Sequence, residues 1–150
     1  MDDSTAAAAL AELARLIRRT SQELDRAIAG CIGENSVGRW HVLTAVVSSE
    51  GRSMSELAEA TLLTGANLTR LVDAMISDNL VHRRVDEADR RRVLVFPTRR
   101  GRLSHQVMSA AIEESGLDLL ATGNPRLAKT LTRFIERIQD AGIPAESAAD

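Results

Sequence analysis

Eight arginines stand between His82 and Arg102, at positions 83, 84, 90, 91, 92, 99, 100 and 102, against only three acids, Asp86, Glu87 and Asp89. That stretch carries +5, so −7 is left for the rest of a chain whose formal net charge is −2. Guanidinium groups do one kind of chemistry especially well: they hold phosphate oxygens and present planar pairs of donors to flat acceptor edges. Arginine is this chain's usual base, with Lys129 the sole lysine among 19 basic residues. Preference explains arginine over lysine, but not the clustering. Positive charge gathered on one short segment of an acidic chain suits a polyanionic partner met by one surface.

The residues needed for other chemistries are missing or scattered. No nucleophile–base set, phosphate-cradling glycine loop or clustered carboxylates occur, so the chain is not expected to be an enzyme, and no cofactor is expected. His41, His82 and His105 fall on different elements and lack the i, i+4 spacing of a helical metal site, so no metal is expected. Cys31 is alone, which excludes an internal disulfide and a cysteine-rich zinc site and predicts an ordinary half-buried thiol. At 150 residues and 44% hydrophobic, the chain should form one domain with its own core. No apolar run approaches the ~20 residues of a membrane span. The N-terminus "MDDSTAAAALAELARLIRR" lacks an export pattern, so a cytoplasmic location without membrane partners is expected.

Several elements must position the arginines. A first helix is predicted from Ser4 to Ala29, ending at Gly30, with Leu10, Leu13, Ile17, Leu24 and Ile28 at helical spacing. Ser36 can cap a second helix carrying Trp40, Leu43, Val46 and Val47 inward. Ser53 and Glu56 have capping-box spacing at the start of a short helix to Ala60. A further helix, capped near Thr64, aligns Leu68, Leu71, Val72, Met75 and Ile76 in one stripe. Its opposite face is Ala66, Arg70, Asp73 and Ser77, flanked by Asn67 and Thr69. That small, polar face can lie close against another body and hydrogen-bond to it. From Leu80 the pattern turns β-like: "LVHRRV", the polar tip "DEADR", then "RVLVF" before Pro97, one hairpin. Two more helices are predicted, Arg99 to Ala121 and Pro125 to Asp140. The latter has Asn124 as cap, Pro125 in first position, Gly142 and Pro144 beyond, and the stripe Leu127, Leu131, Phe134, Ile135, Ile138. The closing "IPAESAAD" is predicted to fray.

Short helices followed by a basic hairpin make a winged helix-turn-helix, mainly α with a small β-hairpin wing. The chemistry fits double-stranded DNA. A helix enters the major groove, where Asn, Thr and Arg read base edges, and a basic loop reaches the minor groove, where the potential favours Arg. Over Trp40 to Gly101 the sequence resembles the MarR (multiple antibiotic resistance regulator) family of bacterial transcription factors. The resemblance is carried by "SELAEA", "NLTRLVDAMISDNLVHRR" and "DEADRRRVLVFPTRRG", in order and at spacing. Asp89 and Arg91 match the family's Asp-x-Arg wing signature, and Thr98 with Gly101 its "LT..G". Two positions depart: Asn79 replaces the usual Gly before the first wing strand, and tolerates a left-handed turn. Pro97 replaces an apolar residue and lacks a donor, which predicts a last strand one residue shorter.

The resemblance implies a winged helix lobe at about 36–98 and long dimerisation helices at about 4–30 and 99–141. The function expected is a homodimeric, sequence-specific regulator, a repressor of a palindromic operator relieved by a small aromatic or phenolic effector; the competing reading is a winged-helix protein-interaction module. Candidate DNA contacts are Thr64, Gly65, Ala66, Asn67, Thr69 and Arg70 on the recognition helix and Arg84, Asp89, Arg90 and Arg91 on the wing. Asn67 and Arg70 are the expected base readers, Arg90 the minor-groove residue, and Asp89 with Arg91 an ion pair stiffening the wing. Arg83, Arg84 and Arg92 alternate faces, so some must point away from DNA. Arg39, Trp40 and His41 are candidates for the effector crevice. Peroxide sensing, found in some members with N-terminal cysteine and tyrosines, is not expected where Tyr is absent and Cys31 lies at a helix end.

Overall fold

The computed structural model describes residues 3–142. The expected fraying of "IPAESAAD" and the role of Pro144 lie outside them. Helix α1 (Asp3–Ile32) is followed by a 3₁₀ turn (Glu34–Ser36), α2 (Val37–Val47), β1 (Arg52–Ser53), α3 (Met54–Thr61), α4 (Gly65–Ser77), β2 (Val81–Val85), β3 (Val93–Pro97), α5 (Arg99–Ser115), α6 (Leu119–Thr122) and α7 (Pro125–Asp140). No helix among these residues is long and apolar enough to cross a membrane.

The core lies in the middle of the chain. Val42, Leu43, Val46, Leu57, Val72, Met75, Val81 and Val95 are sealed from solvent, with Leu68 and Leu80 nearly so. Each such side chain contributes about 1.5–3 kcal/mol by leaving water. Helix α2 runs through the centre, packed against α1, α3, α4, α5 and β3. It therefore buries Val42 and Ala45 besides Leu43 and Val46, while Trp40 and Val47, expected inside, are half-buried. Ser36 is at its N-cap but makes no side-chain capping bond, because the 3₁₀ turn leads straight into the helix. The α4 stripe is inward as expected, with Leu68, Val72 and Met75 buried and Leu71 and Ile76 against the core.

Three boundaries differ from expectation. Helix α1 runs through Gly30, which has open space around it, and stops only where Gly33 takes φ 94°. The segment 99–121 is broken at Gly116 (φ 79°), which caps α5 and leaves α6 as a separate turn. The sheet has three strands rather than two, in the order β1-β3-β2, all antiparallel, because Arg52 and Ser53 pair with Val95 and Leu94.

Pro97 does not shorten β3: it lies opposite Val81 at the end of the ladder. The next bond to β2 is Thr98 N–H to Leu80 O, at 3.0 Å. Pro97 is therefore a non-hydrogen-bonded pair with β2, and its nitrogen faces the other edge, where β1 has already ended.

A clamp joins this strand to α5. Asn79 adopts φ 58°, as its left-handed tolerance predicts. Thr98 Oγ1 donates to Asn79 O (2.6 Å) and accepts the Gly101 N–H (2.9 Å), capping α5. Gly101 is required because a Cβ there would overlap the Leu80 carbonyl oxygen.

Outside the lobe the packing thins. Leu10, Leu13, Leu16 and Ile17 of α1 and Leu127, Leu131, Ile135 and Ile138 of α7 are exposed, and α7 buries nothing. Leu10, Leu13 and Ile17 face Phe134 and Ile138 across an open apolar groove.

Candidate nucleic-acid interface

The exposed start of α4 follows from its pattern: with Leu68, Val72 and Met75 held inside, Thr64, Gly65, Ala66, Asn67, Thr69 and Arg70 face solvent together. Thr64 is at the N-cap in extended conformation, yet its hydroxyl does not bond the first-turn amides. It accepts instead from Asn67 Nδ2 (3.1 Å), while Asn67 Oδ1 accepts from Arg70 Nη2 (2.9 Å). Thr69 Oγ1 donates to Gly65 O (2.9 Å). One turn further along, Asp73 pairs with Arg83 Nη2 at 2.6 Å.

The wing stands beside this helix. Its tip is built by acids used as backbone acceptors: Asp86 Oδ1 takes the Ala88 N–H (3.0 Å) and Asp89 Oδ1 the Arg91 N–H (3.1 Å). The expected Asp89–Arg91 ion pair is not formed. The carboxylate is turned back onto the main chain of its own turn, where a two-residue spacing favours an Asx-type bond. Arg90 and Arg91 consequently have no ion-pair partner among the described residues.

The other wing arginines divide as strand alternation requires. Arg83 turns to α4 through Asp73, and Arg92 Nη2 reaches Glu56 Oε1 (2.9 Å). Arg84 lies on the outer face, 5.8 Å from the Phe96 ring centre, with His82 stacked on that ring. Glu56 closes the capping box with Ser53 as its spacing predicts. The Ser53 N–H holds its carboxyl below the usual glutamate range; burial opposes this and Arg92 adds to it. Glu56, Asp73 and Thr98 were not expected to shape the wing. Only the capping signature of Glu56 and the "LT..G" match of Thr98 pointed at them, and for other reasons.

The three effector candidates diverge. Arg39 pairs with Asp78 Oδ2 (2.7 Å) and lines a crevice with Leu80, Arg100, Leu103, Val107 and Met108. His41 turns the other way, to Asp25 Oδ1 (3.4 Å) on α1. Trp40 packs edge-on against His41, its Nε1 buried without a partner, and neither ring lines the Arg39 crevice. Arg100 and Asp78, which do, were not among the candidates; Arg100 was visible only as one of the clustered arginines. His105 reaches Thr44 Oγ1 (3.1 Å), and burial lowers its pKa. Cys31 is half-buried, with its thiol 3.3 Å from Ser115 Oγ.

A helical lobe whose third helix shows a polar face beside a basic β-hairpin defines a winged helix-turn-helix protein. The MarR family's model matches residues 36–92, the lobe that holds α2 to the wing tip. The flanking helices are matched by fold. The transcriptional regulator BldR from Sulfolobus solfataricus aligns with TM-score 0.67 at 26% identity, covering 91% of this chain and 99% of that one. The transcriptional repressor CouR, solved on a 23-mer DNA duplex, gives 0.66 at 21% identity, covering 85% and 94%. BpsR of Bordetella bronchiseptica, a protein whose DNA binding is regulated by 6-hydroxynicotinic acid, gives 0.65 at 22%, covering 85% and 92%. No curated protein matches the chain in sequence.

Proposed function

We propose that the chain is a sequence-specific, double-stranded-DNA-binding transcriptional regulator of the cytoplasm, without enzymatic activity, acting as a homodimeric repressor. The observation that carries this is the pairing of an exposed polar helix start, holding Arg70, with a wing whose Arg90 and Arg91 have their charges unspent. Arg70 reads base edges in the major groove, Arg90 enters the minor groove, and Thr64, Gly65, Ala66, Thr69, Arg84 and Arg91 meet the backbone. Asp89 serves by shaping the tip. The lobe at 36–98 binds, and helices 4–30 and 99–141 pair with a second copy. The operator is then two-fold, with half-sites about one helical turn, roughly 10 bp, apart.

A small organic anion with an aromatic body relieves binding. BpsR supports this class of effector by its response to 6-hydroxynicotinic acid, and CouR supports the DNA reading by its duplex. In this chain the crevice offers a carboxylate Arg100, beside the Arg39–Asp78 pair, and gives a ring an apolar wall in Leu103, Val107 and Met108.

The test is a binding titration at several salt concentrations on a cognate and a scrambled duplex. Arg90→Ala should weaken both and lower the salt slope by about one per protomer. Arg70→Ala should cost roughly 1–3 kcal/mol per lost base contact and flatten preference at particular positions. Cognate binding unchanged in both variants would instead favour a protein-interaction module.

A further inference from the structure

We infer that Asn67 is a positioning residue for Arg70 rather than a reader of bases, and that Thr64 anchors it. The inference deepens the DNA-binding reading and rests on it. An asparagine reads adenine only by turning its carbonyl and amide together to one base edge. Here the two ends of the carboxamide are engaged along the helix in opposite directions. Nδ2 donates to Thr64 Oγ1, one turn towards the N-terminus, and Oδ1 accepts from Arg70 Nη2, one turn towards the C-terminus. Thr64 is free for this because its hydroxyl makes no capping bond to α4. The chain of three side chains is on the exposed face, while Leu68 and Val72 fix the helix behind it.

The consequence falls on the guanidinium. Arg70 is exposed and would otherwise sample many rotamers, a freedom lost on binding. The bond to Asn67 uses one Nη2 proton and leaves the remaining donors for the forked contact to guanine O6 and N7. Asp73, the next acid along the same face, is turned to Arg83 rather than to Arg70. Sequence preference at this part of the operator therefore belongs to Arg70 alone, with Asn67 and Thr64 setting where its fork points.

The experiment selects bound sequences from a randomised duplex pool with the full chain as wild type, R70A, N67A, T64V, N67D and the double variant R70A/N67A. Dissociation constants on the wild-type consensus accompany each. N67A should flatten the same operator positions as R70A and weaken consensus binding about 2- to 10-fold, the cost of an unordered arginine. T64V should do the same to a smaller degree, and R70A/N67A should be no flatter than R70A. N67D keeps an acceptor for Arg70 and should restore preference at the R70A positions while lowering affinity for all sequences through its charge. Loss of preference in N67A at a position that R70A leaves intact overturns the inference, as does an altered base at such a position in N67D. Wild type that selects no sequence overturns the DNA-binding reading itself, and with it the inference.

Discussion

Leu62 holds a left-handed backbone, φ 57° and ψ 22°, at the end of α3, and its side chain is 86% exposed. The conformation costs a leucine about 1–2 kcal/mol and buries nothing in return. Leu62→Gly removes that cost and returns about 0.5–1 kcal/mol through the freer unfolded chain. The expected result is a net gain of roughly 0.5–1 kcal/mol in urea unfolding; a loss would mean that Leu62 makes a contact in solution. Gly101→Ala should act the other way. Its new Cβ would meet the Leu80 carbonyl, which is main chain and cannot step aside, so destabilisation of at least about 2–3 kcal/mol is expected in the same assay. The turn at Asn79 is legible in the sequence because Asn is a residue that signals a left-handed backbone. The one at Leu62 is not, since leucine sends no such signal. Asn67 and Arg70 are legible as an exposed pair, but their bond is hidden, because residue spacing says who are neighbours and not which rotamers they choose.

The wing is held by two exposed ion pairs, Arg83–Asp73 to α4 and Arg92–Glu56 to α3. Such pairs add only about 0.2–1 kcal/mol each to folding. R83A and R92A should accordingly keep their melting temperatures close to wild type yet bind DNA more weakly, read by calorimetry and by the salt titration on cognate and scrambled duplexes. A large drop in melting temperature would assign the pairs to stability instead. Glu56 adds a pH dependence. Its folded pKa is depressed, so the support it gives α3 is complete above the ordinary glutamate pKa and is lost only as pH falls through the lower folded value. Carboxyl NMR should show that low midpoint, and R92A should raise it part of the way. Helix types and the hairpin are readable from periodicity and turn residues. The two-residue β1 is not, being too short to alternate, and the break at Gly116 is masked by helix-forming neighbours on both sides. The second buried face of α2 depends on five packing partners, which no local pattern records.

At the scale of the molecule, α1 and α7 carry apolar rows that the chain itself does not cover. Burial of those rows by a second copy predicts an obligate dimer at micromolar concentration. Ile135→Asp, on the exposed row of α7, should shift light scattering towards the monomer mass and abolish high-affinity operator binding with the lobe still folded. A wild-type chain that scatters as a stable monomer would refute the pairing. The rows are evident from sequence because helical spacing alone displays them; which elements they leave uncovered needs the fold.

The clamp of Thr98, Asn79, Leu80 and Gly101 makes α5 a lever. Its short arm is pinned to the segment that follows α4 by two hydrogen bonds, from Thr98 Oγ1 to Asn79 O and from Thr98 N–H to Leu80 O, and by a contact at Gly101 too close for any side chain. With 17 residues, α5 is about 25 Å long, so a tilt of only about 5° displaces one end by roughly 2 Å. That distance exceeds what a guanidinium hydrogen bond to a base tolerates. In the proposed dimer, a tilt of α5 would change the spacing between the two α4 helices, so a molecule wedged beside α5 would silence the protein without touching a single DNA-facing residue.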